Sequence, residues 1–143
     1  MVINMKKTKL IFVIGIQIIL MANSCVHNNY YDFRLKVINK SNKTIYAETS
    51  GAYPDTSLVF TVSPFNHNPD KAAPEGTINI VHGGSWEEAF NGNIHQKLIV
   101  FIFDAAIADN MPWDTIKKKY LILKRYDLTL NDLDSLNFKV TYP

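Results

Sequence analysis

Apolar and polar residues alternate along much of the chain beyond residue 31. Residues 33–37 alternate apolar with charged side chains, and residues 44–49 resume the alternation after a polar turn at 40–43. A period of two is typical of a β-strand with one buried face. Turn-forming residues between two such segments favour an antiparallel connection. The pattern therefore predicts that these two segments form a hairpin.

Five further segments are predicted to be strands. They are residues 58–62, 77–81, 97–104, 120–126 and 137–142. The third of these contains six consecutive apolar residues, Leu98 to Phe103, and a run without alternation predicts a strand that is covered on both faces. Prolines and polar residues make 63–76 the longest predicted loop.

The helical signals are short. Ser85 and Glu88 form a capping-box pattern that predicts a brief helix through Phe90, and Thr129 predicts a single capped turn. Pro112 is placed to begin another short helix, whereas 105–111 is expected to be irregular. Seven short strands with two or three very short helices predict a mainly β protein, an Ig-like β-sandwich, because βαβ units need longer crossover helices.

The N-terminal region has a different pattern. Lys6, Lys7 and Lys9 precede an apolar run, Leu10–Met21, which is followed by small residues and the only cysteine, Cys25. A predominantly apolar run of 12 residues is too short to cross a bilayer stably, and this order of charge, apolar run and small residues is typical of a secretory signal peptide. We therefore expect a signal peptide at 1–24, a tether at 25–30 and a β-sandwich domain at 31–143.

The residues before Cys25 resemble the lipobox of bacterial lipoproteins. In that family the cysteine is acylated and the chain is cut just before it; Ala22 stands where the family usually has leucine. Ala22 and Ser24 also fit an ordinary signal peptidase site, which would give cleavage without acylation. The resemblance implies a membrane partner, through acyl chains such as palmitate on Cys25. Two or three such chains hold a protein durably, since each buried methylene contributes about 0.8 kcal/mol.

The same resemblance implies a cellular location. Val26 lacks the aspartate that favours inner-membrane retention in related lipoproteins, so the expected location is the outer membrane. Residues 27–29 are not acidic, which favours the periplasmic face over the cell surface.

Removal of the expected signal peptide would change the net charge of the chain. Three of the 15 basic residues lie in residues 1–24, so 12 basic and 13 acidic residues remain in a mature chain of 119. A nearly neutral domain gives no reason to expect nucleic acid as a partner. The length fits one domain with a single core.

The C-terminal half carries a second resemblance. The segment Tyr120–Leu133 and the ending Val140–Pro143, together with a strand like Val100–Asp104 and a tryptophan like Trp113, are similar to small uncharacterised lipoproteins of anaerobic Gram-negative gut bacteria. The resemblance implies an envelope location and a β fold, and it brings no activity.

Residues with catalytic potential are few. His82-Gly-Gly-Ser85 resembles the oxyanion-hole loop of lipases and esterases, but no Gly-x-Ser-x-Gly turn accompanies it, so a simple glycine turn is favoured. The four histidines show no metal-site spacing, and Asp104 is expected to bond local backbone N–H groups. We therefore expect no catalytic residues, metal or cofactor.

Aromatic residues suggest the remaining hypothesis. Tyr53, Trp86 and Trp113 are candidates for stacking on a sugar ring, although the tryptophans also suit a core or a lid. The leading interpretation is a non-enzymatic interaction or structural module of the envelope, with a protein or glycan partner. A glycan-binding module is the first alternative, and a small hydrolase that uses His82 is the second.

Overall fold

The computed structural model describes residues 34–60, 63–67, 70–93 and 95–143. The expected signal peptide 1–24, the Cys25 anchor and the tether 25–30 lie outside the described residues, as do Phe33, at the start of the first predicted strand, and His27.

Seven strands form two sheets in the described residues. They are β1 (Arg34–Asn39), β2 (Ile45–Ser50), β3 (Lys71–Ala72), β4 (Thr77–Val81), β5 (Leu98–Asp104), β6 (Lys124–Leu128) and β7 (Lys139–Tyr142). Sheet I has the order β4-β1-β7, with β1 and β7 parallel, and sheet II is antiparallel with the order β3-β2-β5-β6. The predicted mainly β, seven-stranded sandwich is confirmed.

Four short α-helices connect these strands in the described part of the chain. They are α1 (Trp86–Asn91), α2 (Ala105–Asn110), α3 (Trp113–Lys119) and α4 (Leu130–Ser135), and a 3₁₀ turn covers Pro64–His67. The side chains of Ser85 and Thr129 accept hydrogen bonds from the third helical N–H of α1 and α4, which confirms both predicted caps. Such caps satisfy donors that a helix start otherwise leaves without partners.

A first core fills the space between the two sheets. Alternate residues of each strand point into it, and α1 and α4 add apolar side chains at its edges. Its buried members are Leu35, Val37, Ile45, Ala47, Ala72, Ile78, Trp86, Phe90, Val100, Ile102, Leu128, Leu133 and Val140. This is the core that period-two alternation predicts.

A second core covers the other face of sheet II. Ile99, Phe101 and Phe103 of β5 point into it, and the cover comes from the segment after β2 and from α2 and α3, including Leu58 and Ile116. Strand β5 is therefore buried on both faces, as its continuous apolar run predicts. Each fully buried residue of this size contributes roughly 1.5–3 kcal/mol, which makes β5 the best-anchored strand of the fold.

The predicted hairpin of the first two strands is wrong. Strand β1 lies in sheet I and β2 lies in sheet II, so the turn between them carries the chain from one sheet to the other. The buried side chain of Asn39 donates to the carbonyl oxygens of Lys43 and Ala72, which fixes this crossing.

Four other segments differ from the sequence prediction. Residues 58–60 are not a strand: Leu58 and Phe60 lie on the second core without a ladder partner, and Thr61 and Val62 lie outside the described residues. The seventh strand is instead β3, within the segment 63–76 that was predicted to be a loop.

The segment 105–111 is helical rather than irregular, because Asp104 accepts a hydrogen bond from the Ala106 N–H and begins α2. Strand β6 begins at Lys124 rather than at Tyr120, since Tyr120 adopts a left-handed conformation (φ 50°) that ends α3.

Candidate ligand-binding cavity

Helix α1 places two aromatic side chains on one face. The Ser85 hydroxyl accepts from the Glu88 N–H, and the Glu88 carboxylate accepts from the Ser85 N–H. This capping box begins the six-residue helix at Trp86. Trp86 and Phe90 are four residues apart and therefore point in the same direction, into the first core. Gly92 ends the helix.

The loop after α1 is held by Asn93. Its side-chain amide donates to the carbonyl oxygens of Gly51 (3.0 Å) and Lys97 (2.8 Å), and its side-chain oxygen accepts from the His95 N–H (3.0 Å). A β-carbon at Gly51 would lie 3.3 Å from the Asn93 amide nitrogen, so glycine permits this close approach. The loop is thereby fixed with His95 and Lys97 beside α1.

A cavity of about 520 Å³ lies between α1, this loop and the end of β2. Its lining combines aromatic and aliphatic side chains with two imidazoles, one amide and one ammonium group. The lining residues are Thr49, Gly51, His82, Trp86, Ala89, Phe90, Gly92, Asn93, His95, Lys97 and Leu98. A few polar groups around an apolar floor are typical of small-molecule sites, which span roughly 300–1,000 Å³.

The two histidines contact aromatic rings. The His82 ring lies 5.3 Å from the Trp86 ring, and the His95 ring lies 5.9 Å from that of Tyr53. The Lys97 ammonium lies 4.3 Å from the centre of the same Tyr53 ring. Cation–π contacts of this kind are worth about 0.5–1 kcal/mol at exposed sites.

The structure brings two of the three candidate aromatic residues to this region. Trp86 lines the cavity and is only 4% exposed, and Tyr53 flanks it through His95 and Lys97. Trp113 lies elsewhere: it packs in the second core and donates its indole N–H to the Phe60 carbonyl oxygen.

Asn93 and Lys97 were missed by sequence reasoning; the Asn91-Gly92-Asn93 turn is the one signal that could have drawn attention to this loop.

No nucleophile is paired with a histidine in the described part of the chain. His82 makes one hydrogen-bond contact, Nδ1 to the Gly84 carbonyl oxygen at 3.4 Å, and the Ser85 hydroxyl accepts from the Glu88 N–H as a helix cap. Among the residues that the structure describes, no cluster of three His, Cys, Asp or Glu side chains could hold a metal ion. The His67 side chain lies outside them.

Asp104 has the local role expected for it. Its carboxylate caps α2 and also accepts from the Lys43 ammonium at 2.7 Å, and this partner lowers the pKa of Asp104 below its ordinary value. Both oxygens of this carboxylate therefore take part in structural contacts.

A second cleft, of about 560 Å³, lies on the second-core side between residues 56–59 and α3. The loops around 63–76, 83–85 and 105–113 do not share one pocket: Phe65 contacts Trp113 edge to face, whereas His82 and Trp86 line the cavity beside α1. No helix in the described ranges is long and apolar enough to span a membrane.

With this geometry, the cavity beside α1 is the best candidate site. No protein-family model, curated protein or solved structure matches the chain. The chemistry of the cavity must therefore be argued from its own residues.

Proposed function

We propose that this protein is a lipid-anchored, non-enzymatic binding module of the cell envelope, whose ligand site is the cavity beside α1. Acyl chains on Cys25 hold the β-sandwich at the outer membrane, on the periplasmic face. What supports the anchor is the order of Lys6 to Lys9, the apolar run and the small residues before a lone cysteine. A single cysteine in an exported protein has no intramolecular disulfide partner, which leaves acylation as its use.

The cavity itself carries the binding half of the proposal. It is about 520 Å³ in volume, and buried Trp86 and Phe90 provide an apolar wall that is built by a capped helix rather than by a loose loop. Sites on preformed elements bind with little ordering cost. Envelope proteins with a tether and such a cavity can retain small ligands near the membrane without chemical conversion.

A glycan is the second candidate ligand class, and one observation favours it. Tyr53 is partly exposed and flanks the cavity, which Trp86 also lines, so aromatic surface is available for the apolar face of a pyranose ring. A glycan array of the wild type tests this directly. Retention that is lost in Trp86→Phe and kept in Trp113→Phe would support glycan binding, and no retention would exclude the class.

The anchor is tested by mass and by membrane partition. The mature wild-type protein should begin at Cys25, carry fatty acyl mass and stay with membranes after carbonate washing, and Cys25→Ser should carry no acyl mass. A mature wild-type chain with a free thiol at Cys25 would contradict the proposed anchor.

The cavity is tested by tryptophan fluorescence, because the chain has only two tryptophans. In Trp113→Phe, Trp86 is the single reporter, and a cavity ligand should change its emission. The matched variant Trp86→Phe should not respond. Equal responses in the two variants would place the binding elsewhere.

A further inference from the structure

The formal charge that lines the cavity is positive. Among its described lining residues there is one ammonium, Lys97, beside the polar rings of His82 and His95, and none is a carboxylate. Two carboxylates near the cavity are outside its lining: Glu88 accepts from the Ser85 N–H, and Asp132 has a pKa that is lowered chiefly by its own bonds to Thr129 and least by Lys97. A cavity lined by one sign of charge attracts the opposite charge.

Lys97 is available to a ligand. Within the described residues its ammonium makes no hydrogen bond or ion pair, and its contact is the face of Tyr53 at 4.3 Å. The Asp132 carboxylate is occupied, since it accepts from both the N–H and the hydroxyl of Thr129. An ammonium has three donors, and a charge-assisted bond to an anion is stronger than the contact with a ring.

The rest of the cavity lining is apolar. Trp86, Ala89, Phe90 and Leu98 form this part, although Trp86 and Phe90 expose only 4% and 5% of their surface. A ligand that fits both parts has a negative group for Lys97 and an apolar body for this part of the lining.

We propose that the cavity selects organic anions in which a carboxylate is attached to a ring with an apolar face. The carboxylate accepts from Lys97, with His82 and His95 beside it, and the ring lies against the apolar part of the lining, which includes the small exposed part of Trp86. This inference rests on the proposed function and adds the charge of the ligand to it. Two sources share this chemistry: an acidic sugar of the uronic type and an aromatic carboxylic acid.

Two matched ligand pairs test the inference on the full mature protein in detergent. Glucuronate and glucose share a ring and differ in a carboxylate against a CH₂OH group, and benzoate and benzyl alcohol differ in the same way. Binding is followed by NMR through the indole N–H signals of Trp86 and Trp113. Each carboxylate that binds should do so at least about tenfold more tightly than its alcohol, and the Trp86 signal should move more than that of Trp113.

Lys97→Gln is the decisive variant, with Lys124→Gln as its control. Lys124 also rests over a tyrosine ring, 5.8 Å from Tyr126, but it does not line the cavity. Lys97→Gln should weaken carboxylate binding about tenfold and leave alcohol binding unchanged, whereas Lys124→Gln should change neither.

Binding of glucuronate alone identifies the sugar source, benzoate alone identifies the aromatic acid, and both together support the shared chemistry. If the alcohols bind as tightly as the carboxylates, or if Lys97→Gln has no effect, the inference is overturned while the cavity remains a binding site. If none of the four ligands moves the Trp86 signal, the inference is also overturned. The glycan alternative fails separately if the wild type is not retained on the glycan array, and the proposed anchor fails separately if the mature wild type carries a free thiol at Cys25.

Discussion

The side-chain amide nitrogen of Asn39 lies 2.9 Å from the carbonyl oxygen of Ala72, in a bond that is fully buried. The same nitrogen donates to the carbonyl oxygens of Lys43 and Ala73, and the side-chain oxygen accepts from the Ser41 N–H. One side chain therefore ties the end of β1 to the crossing turn and to β3. A short edge strand of two residues is held in place by this link between the sheets.

Asn39→Ala should destabilise the fold by about 2–4 kcal/mol, because it removes the buried donor to the Ala72 carbonyl oxygen and the acceptor of the Ser41 N–H. Asn39→Asp should also be destabilising, since it places an oxygen against carbonyl oxygens. The control Asn79→Ala, at an exposed position of β4, should stay within about 0.5 kcal/mol of wild type in urea unfolding. Wild-type stability in Asn39→Asp would mean that only the volume of the side chain matters.

Glu48 makes stability depend on pH. It lies on the second-core side of β2, opposite Phe101, and burial raises its pKa from the ordinary value to about 7. No hydrogen bond or ion pair to its carboxylate occurs among the described residues. The folded protein therefore binds this proton more tightly than the unfolded chain, so the stabilisation is complete below about pH 4.5 and is lost as the pH rises through about 7.

Glu48→Gln should remove this loss of stability at high pH. Relative to wild type, the variant should gain roughly 1–2 kcal/mol at pH 8, a figure reduced for partial solvent exposure, and should gain little at pH 4.5. The exposed control Glu87→Gln should follow the wild-type pH profile. Parallel urea midpoints for wild type and Glu48→Gln across this range would exclude Glu48 as the cause.

The sequence predicts burial better than it predicts pairing. The apolar run of β5 correctly indicates two covered faces, and the caps at Ser85 and Thr129 are local patterns that need no tertiary information. Alternation, however, is a property of any extended chain that lies on an apolar surface. Leu58 and Phe60 alternate because they cover sheet II, not because they belong to a ladder.

The candidate site was only half predictable for the same reason. Trp86 and the His82 turn can be recognised in the sequence, but the place of Lys97 in the cavity cannot. That place depends on Asn93, which donates to the Gly51 carbonyl oxygen, 42 positions away in sequence. No local pattern encodes a contact of that range. The separation of Trp113 from Trp86 likewise follows from the two faces of sheet II.

Removing the cap of α1 should weaken both the helix and the cavity. Ser85→Ala should lower stability by about 1 kcal/mol, because the Glu88 N–H loses its acceptor. Since α1 carries Trp86, the variant should also show altered Trp86 fluorescence in the Trp113→Phe background. The control Ser57→Ala removes an exposed hydroxyl outside the cavity and should leave both properties unchanged. Unchanged Trp86 emission in Ser85→Ala would show that core packing alone positions the indole.

Arg125 fixes the segment that covers the second core. Its guanidinium donates to the carbonyl oxygens of Pro54 and Asp55 and to the Asp127 carboxylate, and it lies 5.7 Å from the Phe101 ring. Lysine cannot reproduce this planar set of donors. Arg125→Lys should therefore cost about 1–3 kcal/mol.

The local effect of Arg125→Lys should be visible in hydrogen exchange. The Ser57 and Val59 N–H groups both donate to the Asp55 carboxylate, so they should exchange faster once Asp55 loses its anchor. Lys124→Met, the neighbouring exposed residue, should leave these two amides unchanged. If Arg125→Lys also leaves them unchanged, burial of Leu58 and Asp55 suffices to hold the cover, and the guanidinium contributes only to the edge of sheet II.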